Sequence, residues 1–154
     1  MNRLPGAEEK KDYYFGITPP PTLLARTSNT KWVKQKKATD DAPPDSRFLI
    51  ATHNPQVIAE LRKALEVAKP YSMTPVRIWP TESNNQAKTA PQDCPVIFWV
   101  CVKTESKVTP ENALEAADRC KKYIKDKMGY DIDVEICQTD TGFPLSCLVP
   151  AAKK

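Results

Sequence analysis

The stretch from Cys94 to Cys137 constrains this chain more than any other. A nearly unbroken apolar run, Pro95-Val-Ile-Phe-Trp-Val-Cys-Val102, is followed by Thr109 and Pro110, a side-chain cap and a proline at the first helical position. After them come apolar residues at helical spacing and then the alternating segment Asp131-Ile-Asp-Val-Glu-Ile136. A continuous apolar run suits a strand covered on both faces, and alternation suits one with a single covered face. The stretch therefore predicts strand, helix, strand, with Ala113, Ala117, Cys120, Ile124 and Met128 on the buried helical face and Gly129 ending it. Ile132, Val134 and Ile136 are expected to face the helices, with Asp133 and Glu135 facing outward.

The preceding half repeats the pattern. Phe48-Leu-Ile-Ala-Thr52 reads as a strand, and Asn54 with Pro55 starts a helix that buries Val57, Ile58, Leu61, Leu65 and Ala68 before Pro70 stops it. A short strand, Val76–Trp79, lies between Pro75 and Pro80. The order β-α-β-β-α-β is that of an α+β, ferredoxin-like sandwich, an antiparallel sheet with two helices on one face. Its first and third strands are central, so their apolar character fits; its second and fourth are edges, where proline and charge are tolerated. The expected division is a Pro-rich extended arm over residues 1–45, the βαββαβ domain over 46–139, and a tail over 140–154. The arm carries Tyr13, Tyr14, Phe15, Ile17, Leu23, Leu24, Trp32 and Val33, more apolar area than a free linker exposes, so part of it is expected to dock on the domain. Thr81 to Gln92 is polar and reads as the internal site of mobility.

Composition narrows the chemistry. A chain of 154 residues suits one domain with a core of its own. Five cysteines, odd in number and without a CxxC pair, read as small buried hydrophobes in a reducing compartment rather than as a disulfide framework. One histidine and no clustered thiols leave no expected metal site, and no cofactor is expected. Met1 to Lys11 lacks the apolar core of a signal peptide and no run has the length of a membrane span, which points to the cytoplasm, with the nucleus as the other soluble compartment. The net charge of +4 is mild, and much of it comes from Lys31, Lys34, Lys36 and Lys37, read as a solvated basic linker.

Four residues emerge as candidate binding groups. Alternation puts Arg77 and Trp79 on one side of their strand, and Ile97, Trp99 and Cys101 on one side of theirs. If both sets face away from the helices, two tryptophans and an arginine form an aromatic platform; otherwise the arm from Tyr13 to Leu24 packs over that face. His53 stands ahead of a helix N-terminus, where an imidazole and free N–H groups suit an anion, although a lone histidine is more often a loop hydrogen-bonder. A base-stacking RNA module would carry a basic-glycine-aromatic signature in its third strand; Pro95 to Lys103 has no glycine, and Asp133 and Glu135 oppose phosphates. Glu115 and Asp118 with Lys121, Lys122 and Lys125 read as helix-surface pairing. No glycine-rich phosphate loop is present, and Ser146 has no nucleophile-elbow context. No catalytic residue is expected, and the leading class is a non-enzymatic protein-interaction or regulatory module; the alternative is a nucleic-acid-binding domain using the aromatic sheet face.

Pro95 to Lys103, Ser106 to Glu111, Ala117 to Lys121 and Asp131 to Ile136 together resemble a family of uncharacterised fungal proteins with the pattern P-V-hydrophobic-W-hydrophobic-G-V-K, then A-x-x-C-K, then D-V-x-V-E-I. Ala25-Arg-Thr-Ser-Asn-Thr-Lys-Trp32 is similar to that family's A-R-T-S-x-x-P-W. Cys101 stands where the family has glycine, and Lys31 where it has proline. Longer members look as if they continue into a chymotrypsin-like domain, which implies a regulatory or pro-segment-like role toward a protease-like partner. The resemblance carries no established activity.

Overall fold

A computed structural model describes residues 4–17, 20–81 and 93–139. They form an α+β fold around one five-stranded mixed sheet. In chain order the elements are α1 (Ala7–Asp12), β1 (Thr22–Arg26), β2 (Lys37–Asp41), α2 (Arg47–Ala51), α3 (Pro55–Ala64), β3 (Ser72–Pro80), β4 (Val96–Lys103), α4 (Pro110–Tyr123) and β5 (Val134–Thr139). The expected tail over 140–154 and the mobile loop lie outside the described residues, apart from Thr81 in the loop.

The strand order is β1-β5-β4-β3-β2, which differs from the ferredoxin-like order. β4 and β5 pair directly and in parallel, joined across α4, where the ferredoxin arrangement would insert the first strand between them. The segment expected to be that strand, Phe48 to Thr52, falls in and just beyond the short helix α2. A five-residue apolar run has no period of its own long enough to separate helix from strand. The decisive signal is Ser46, whose hydroxyl accepts the Leu49 N–H at 3.3 Å and opens a helical turn. Phe48 is then buried while Ile50 is 56% exposed, the asymmetry of a one-sided helix.

The two missing strands come from the arm. β1 pairs antiparallel with β5 along one edge and β2 pairs antiparallel with β3 along the other. The register of β1 slips between Leu23 and Ala25, so Leu23 lies on one face of the sheet while Leu24 and Ala25 both join the core on the other. β2 is a charged edge, Lys-Ala-Thr-Asp-Asp, and ends where Asp41 meets Val76, so Pro75 lies at the limit of the ladder.

α3 and α4 follow the sequence closely. Asn54 accepts the Gln56 N–H and Thr109 the Asn112 N–H, each with proline next in the chain. α4 runs on through a π-helical turn, Ile124–Met128, and stops at Gly129 with φ +84°. Leu61, Leu65, Ala113, Ala117, Cys120 and Ile124 pack with Phe98, Val100, Val102, Val134 and Ile136 into the main core on the helical face. Cys101, Cys120 and Cys137 are buried thiols, and no disulfide is formed among the described residues. No described helix is long and apolar enough to cross a membrane.

Candidate functional site

The face of the sheet away from α2–α4 is covered by the arm. α1 and the turn after it bring Tyr13, Tyr14 and Ile17 against Leu23, Val76, Trp99, Cys101 and Cys137, a second buried cluster. Gly16 permits the return of the chain. Its φ is +101°, and a Cβ there would lie 2.6 Å from the Lys37 carbonyl oxygen, so only glycine brings the turn this close to β2. The neighbouring Phe15 carbonyl accepts the Lys37 N–H at 2.7 Å.

Glu135 lies at the centre of this cluster, not in solvent as alternation on an edge strand suggested. The reason is β1: a strand added outside β5 makes β5 internal, so both its faces are covered and Glu135 is only 6% exposed. A buried carboxylate needs donors. Tyr13 Oη donates to Oε2 at 2.9 Å and Tyr14 Oη to Oε1 at 2.8 Å, while Trp99 Nε1 donates to Tyr14 Oη at 3.0 Å. Burial pushes the Glu135 carboxyl above its ordinary range, against the opposing pull of Tyr14, Lys37, Tyr13 and Arg26. Burial and the adjacent carboxylate push both phenols up. The network pins the arm to the sheet.

Next to it lies a cavity of about 230 Å³, lined by Tyr13, Ile78 and Pro80 and by arm residues between Arg26 and Lys37, among them Ser28, Thr30, Lys31, Trp32, Val33 and Gln35. Among the described residues its lining contains no carboxylate, histidine or thiol. Arg26 holds the rim in shape: Nε donates to Glu9 at 2.8 Å, Nη1 to the Ser28 carbonyl and hydroxyl, and Nη2 to the Thr30 carbonyl at 2.6 Å. The Lys37 ammonium stands 3.4 Å from the Tyr13 ring centroid, and burial pulls its pKa below the usual lysine value. Trp32 Nε1 is buried without a hydrogen-bond partner.

The four residues expected to bind do not converge here. Arg77 pairs across the ladder with Val96, and Trp99 with Thr74, so Arg77 and Trp79 lie on the helical face and Trp99 on the arm face. The joint aromatic platform is therefore not formed. Trp99 is fully buried against Tyr14, ring centroids 5.4 Å apart, and Trp79 is buried as well. Arg77 reaches Asp40 at 4.0 Å. His53 is exposed between α2 and α3, its backbone N–H donating to the Ile50 carbonyl. Stacking of bases on the sheet would require Trp99 exposed, and Tyr13 and Tyr14 occupy that position. On the helix surface, Arg119 pairs with Glu115 at 2.6 Å and Lys122 with Asp126 at 2.7 Å. No cluster of three metal-ligating side chains occurs among the described residues.

The residues that do assemble a site, Trp32 and Lys37, stood in the sequence as arm aromatic and linker cation. The signal that links them is local: an aromatic amid lysines, between two segments able to pair with a sheet. Comparison with protein-family models, with curated proteins and with solved structures returned no match.

Proposed function

We propose that this chain is a non-enzymatic protein-interaction module whose contact surface is the arm-built rim of the cavity. The observation that carries this reading is the company of two exposed apolar side chains with that cavity. Val33 is 60% exposed and lines it, and Phe15, 44% exposed, lies beneath Lys34 and bonds through its carbonyl to Lys37. Exposed apolar groups rimming a polar pocket are the usual makings of a binding surface. Among the described residues the lining offers no nucleophile–base pair, and its donors fit binding. A protease-like partner, as the family resemblance implies, would be one instance.

The test compares tagged wild-type protein with a Phe15→Glu/Val33→Glu variant in nuclease-treated lysate, by quantitative mass spectrometry. The expected result is a partner retained by the wild type and lost from the variant, with an unchanged circular dichroism spectrum. Recovery that disappears on nuclease treatment would transfer the surface, with Lys31, Lys34 and Lys36, to nucleic acid and refute the reading.

A further inference from the structure

Two donors of the cavity lining have no hydrogen-bond acceptor among the described residues, although the Lys37 ammonium lies against the face of the Tyr13 ring. Trp32 Nε1 is buried with no partner, and Lys37 makes no ion pair among the described residues. Glu135 exerts the largest carboxylate effect on Lys37, but its two oxygens accept from Tyr13 and Tyr14. Arg26 is likewise committed, to Glu9 and to the loop carbonyls. A buried unpaired N–H and a partly desolvated ammonium are each costly to leave unanswered.

We propose that the cavity is a carboxylate-recognition site that takes an acidic side chain of a partner peptide, the Trp32 indole N–H and the Lys37 ammonium binding its two oxygens. The inference rests on the interaction-module reading and names the chemistry of its partner. Two donors match the two oxygens of a carboxylate. A phosphate dianion has further acceptors that would have to call on Lys31 and Gln35 at the rim, and the phosphate arm of the titration separates the two anions. Val33, Ile78 and Pro80 supply apolar wall for the methylenes of a glutamate, and Arg26, Lys31 and Lys37, with no acidic group among the described lining residues, make the pocket complementary to negative charge.

The experiment follows the three tryptophan indole N–H resonances of ¹⁵N-labelled protein during titration with hexaglutamate, hexaglutamine and inorganic phosphate. Hexaglutamate is expected to move the Trp32 signal saturably and leave that of Trp99 in place, with no response to the other two. Lys37→Met keeps the aliphatic stem and is expected to weaken binding roughly tenfold or more; an unshifted Trp99 signal in that variant verifies its fold. Trp32→Phe, read by anisotropy of labelled hexaglutamate, is expected to weaken binding as well. A Trp32 signal that stays still at millimolar hexaglutamate, that follows phosphate equally, or that responds unchanged in Lys37→Met overturns the proposal. A captured partner that survives Lys37→Met defeats this inference and leaves the module reading standing. Hexaglutamate binding with no captured partner does the reverse.

Discussion

Tyr14→Phe removes one oxygen that serves two buried groups. That hydroxyl donates to Glu135 Oε1 at 2.8 Å and accepts from Trp99 Nε1 at 3.0 Å. Without it the carboxylate keeps Tyr13 as its hydroxyl donor among the described residues, and the bond from the Trp99 indole N–H is lost as well. A hydrogen bond to a charged group contributes about 1.5–3 kcal/mol, and one between neutral groups about 0.5–1.5 kcal/mol. The expected loss is about 3–4 kcal/mol, a large part of the stability of a single domain. In a Glu135→Gln background the acceptor is neutral, and the same change should cost about 1–2 kcal/mol; the difference is the coupling energy of the pair.

The pH dependence of the parent protein is an independent check on this buried carboxylate. The Glu135 pKa is raised in the fold, so its contribution to stability is most favourable below the unfolded carboxylate value and declines as pH rises through the folded one. Glu135→Gln removes that slope, and at neutral pH it should be neutral or stabilising because no charge is then buried. Urea unfolding read by tryptophan fluorescence between acidic and neutral pH, wild type against Glu135→Gln, measures it directly. A Tyr14→Phe loss below about 1 kcal/mol, or a difference between wild type and Glu135→Gln that does not change with pH, would refute the account of Glu135 as a buried, hydroxyl-held carboxylate.

Gly16→Ala should lower stability by about 1–3 kcal/mol through its positive φ and the clash with the Lys37 backbone, seen as a lowered Tm in calorimetry, while also weakening hexaglutamate binding because β2 must shift. Thr109→Ala removes the cap of α4 and should cost about 1 kcal/mol by urea unfolding, without effect on the cavity. Hexaglutamate affinity should fall as pH rises through the lowered pKa of Lys37, since only its protonated form pairs with a carboxylate. Around Lys37, Glu135 and Glu9 favour that form and Arg26 opposes it, and the Tyr13 phenol, its own pKa pushed up, stays neutral in that window; isothermal titration across alkaline pH reads the loss.

α3 and α4 were legible because their ends are written in side-chain chemistry; α1 and α2, one turn or so each, were not. Asn54-Pro55, Thr109-Pro110 and Gly129 each satisfy or terminate a helix locally, and no distant partner is needed to read them. β4 was legible from apolar continuity; β3 was legible only as a short strand, Val76–Trp79, expected at an edge, whereas it runs from Ser72 to Pro80 and lies inside the sheet between β4 and β2. The sheet order was not legible, because what sets it is pairing across long sequence separations. β2 is charged and half-buried and carries no strand signature of its own; it is a strand because Lys37 to Asp41 meet Pro80 to Val76. The same long-range step governs the site. Asp133 and Glu135 look alike in sequence, yet Asp133, near the end of β1, stays partly exposed and accepts from Lys121 and Thr27, while Glu135 pairs across from Arg26 and lies under the two tyrosines. One strand contributed by the arm thus turns a solvent-facing acid into a buried anchor. The anchor holds Tyr13, Tyr13 receives Lys37, and the arm's second strand fixes Lys37 beside Trp32. The candidate site is therefore a product of arm docking: a substitution that loosens Tyr13 or Tyr14 should impair binding at the cavity before it unfolds the helical core.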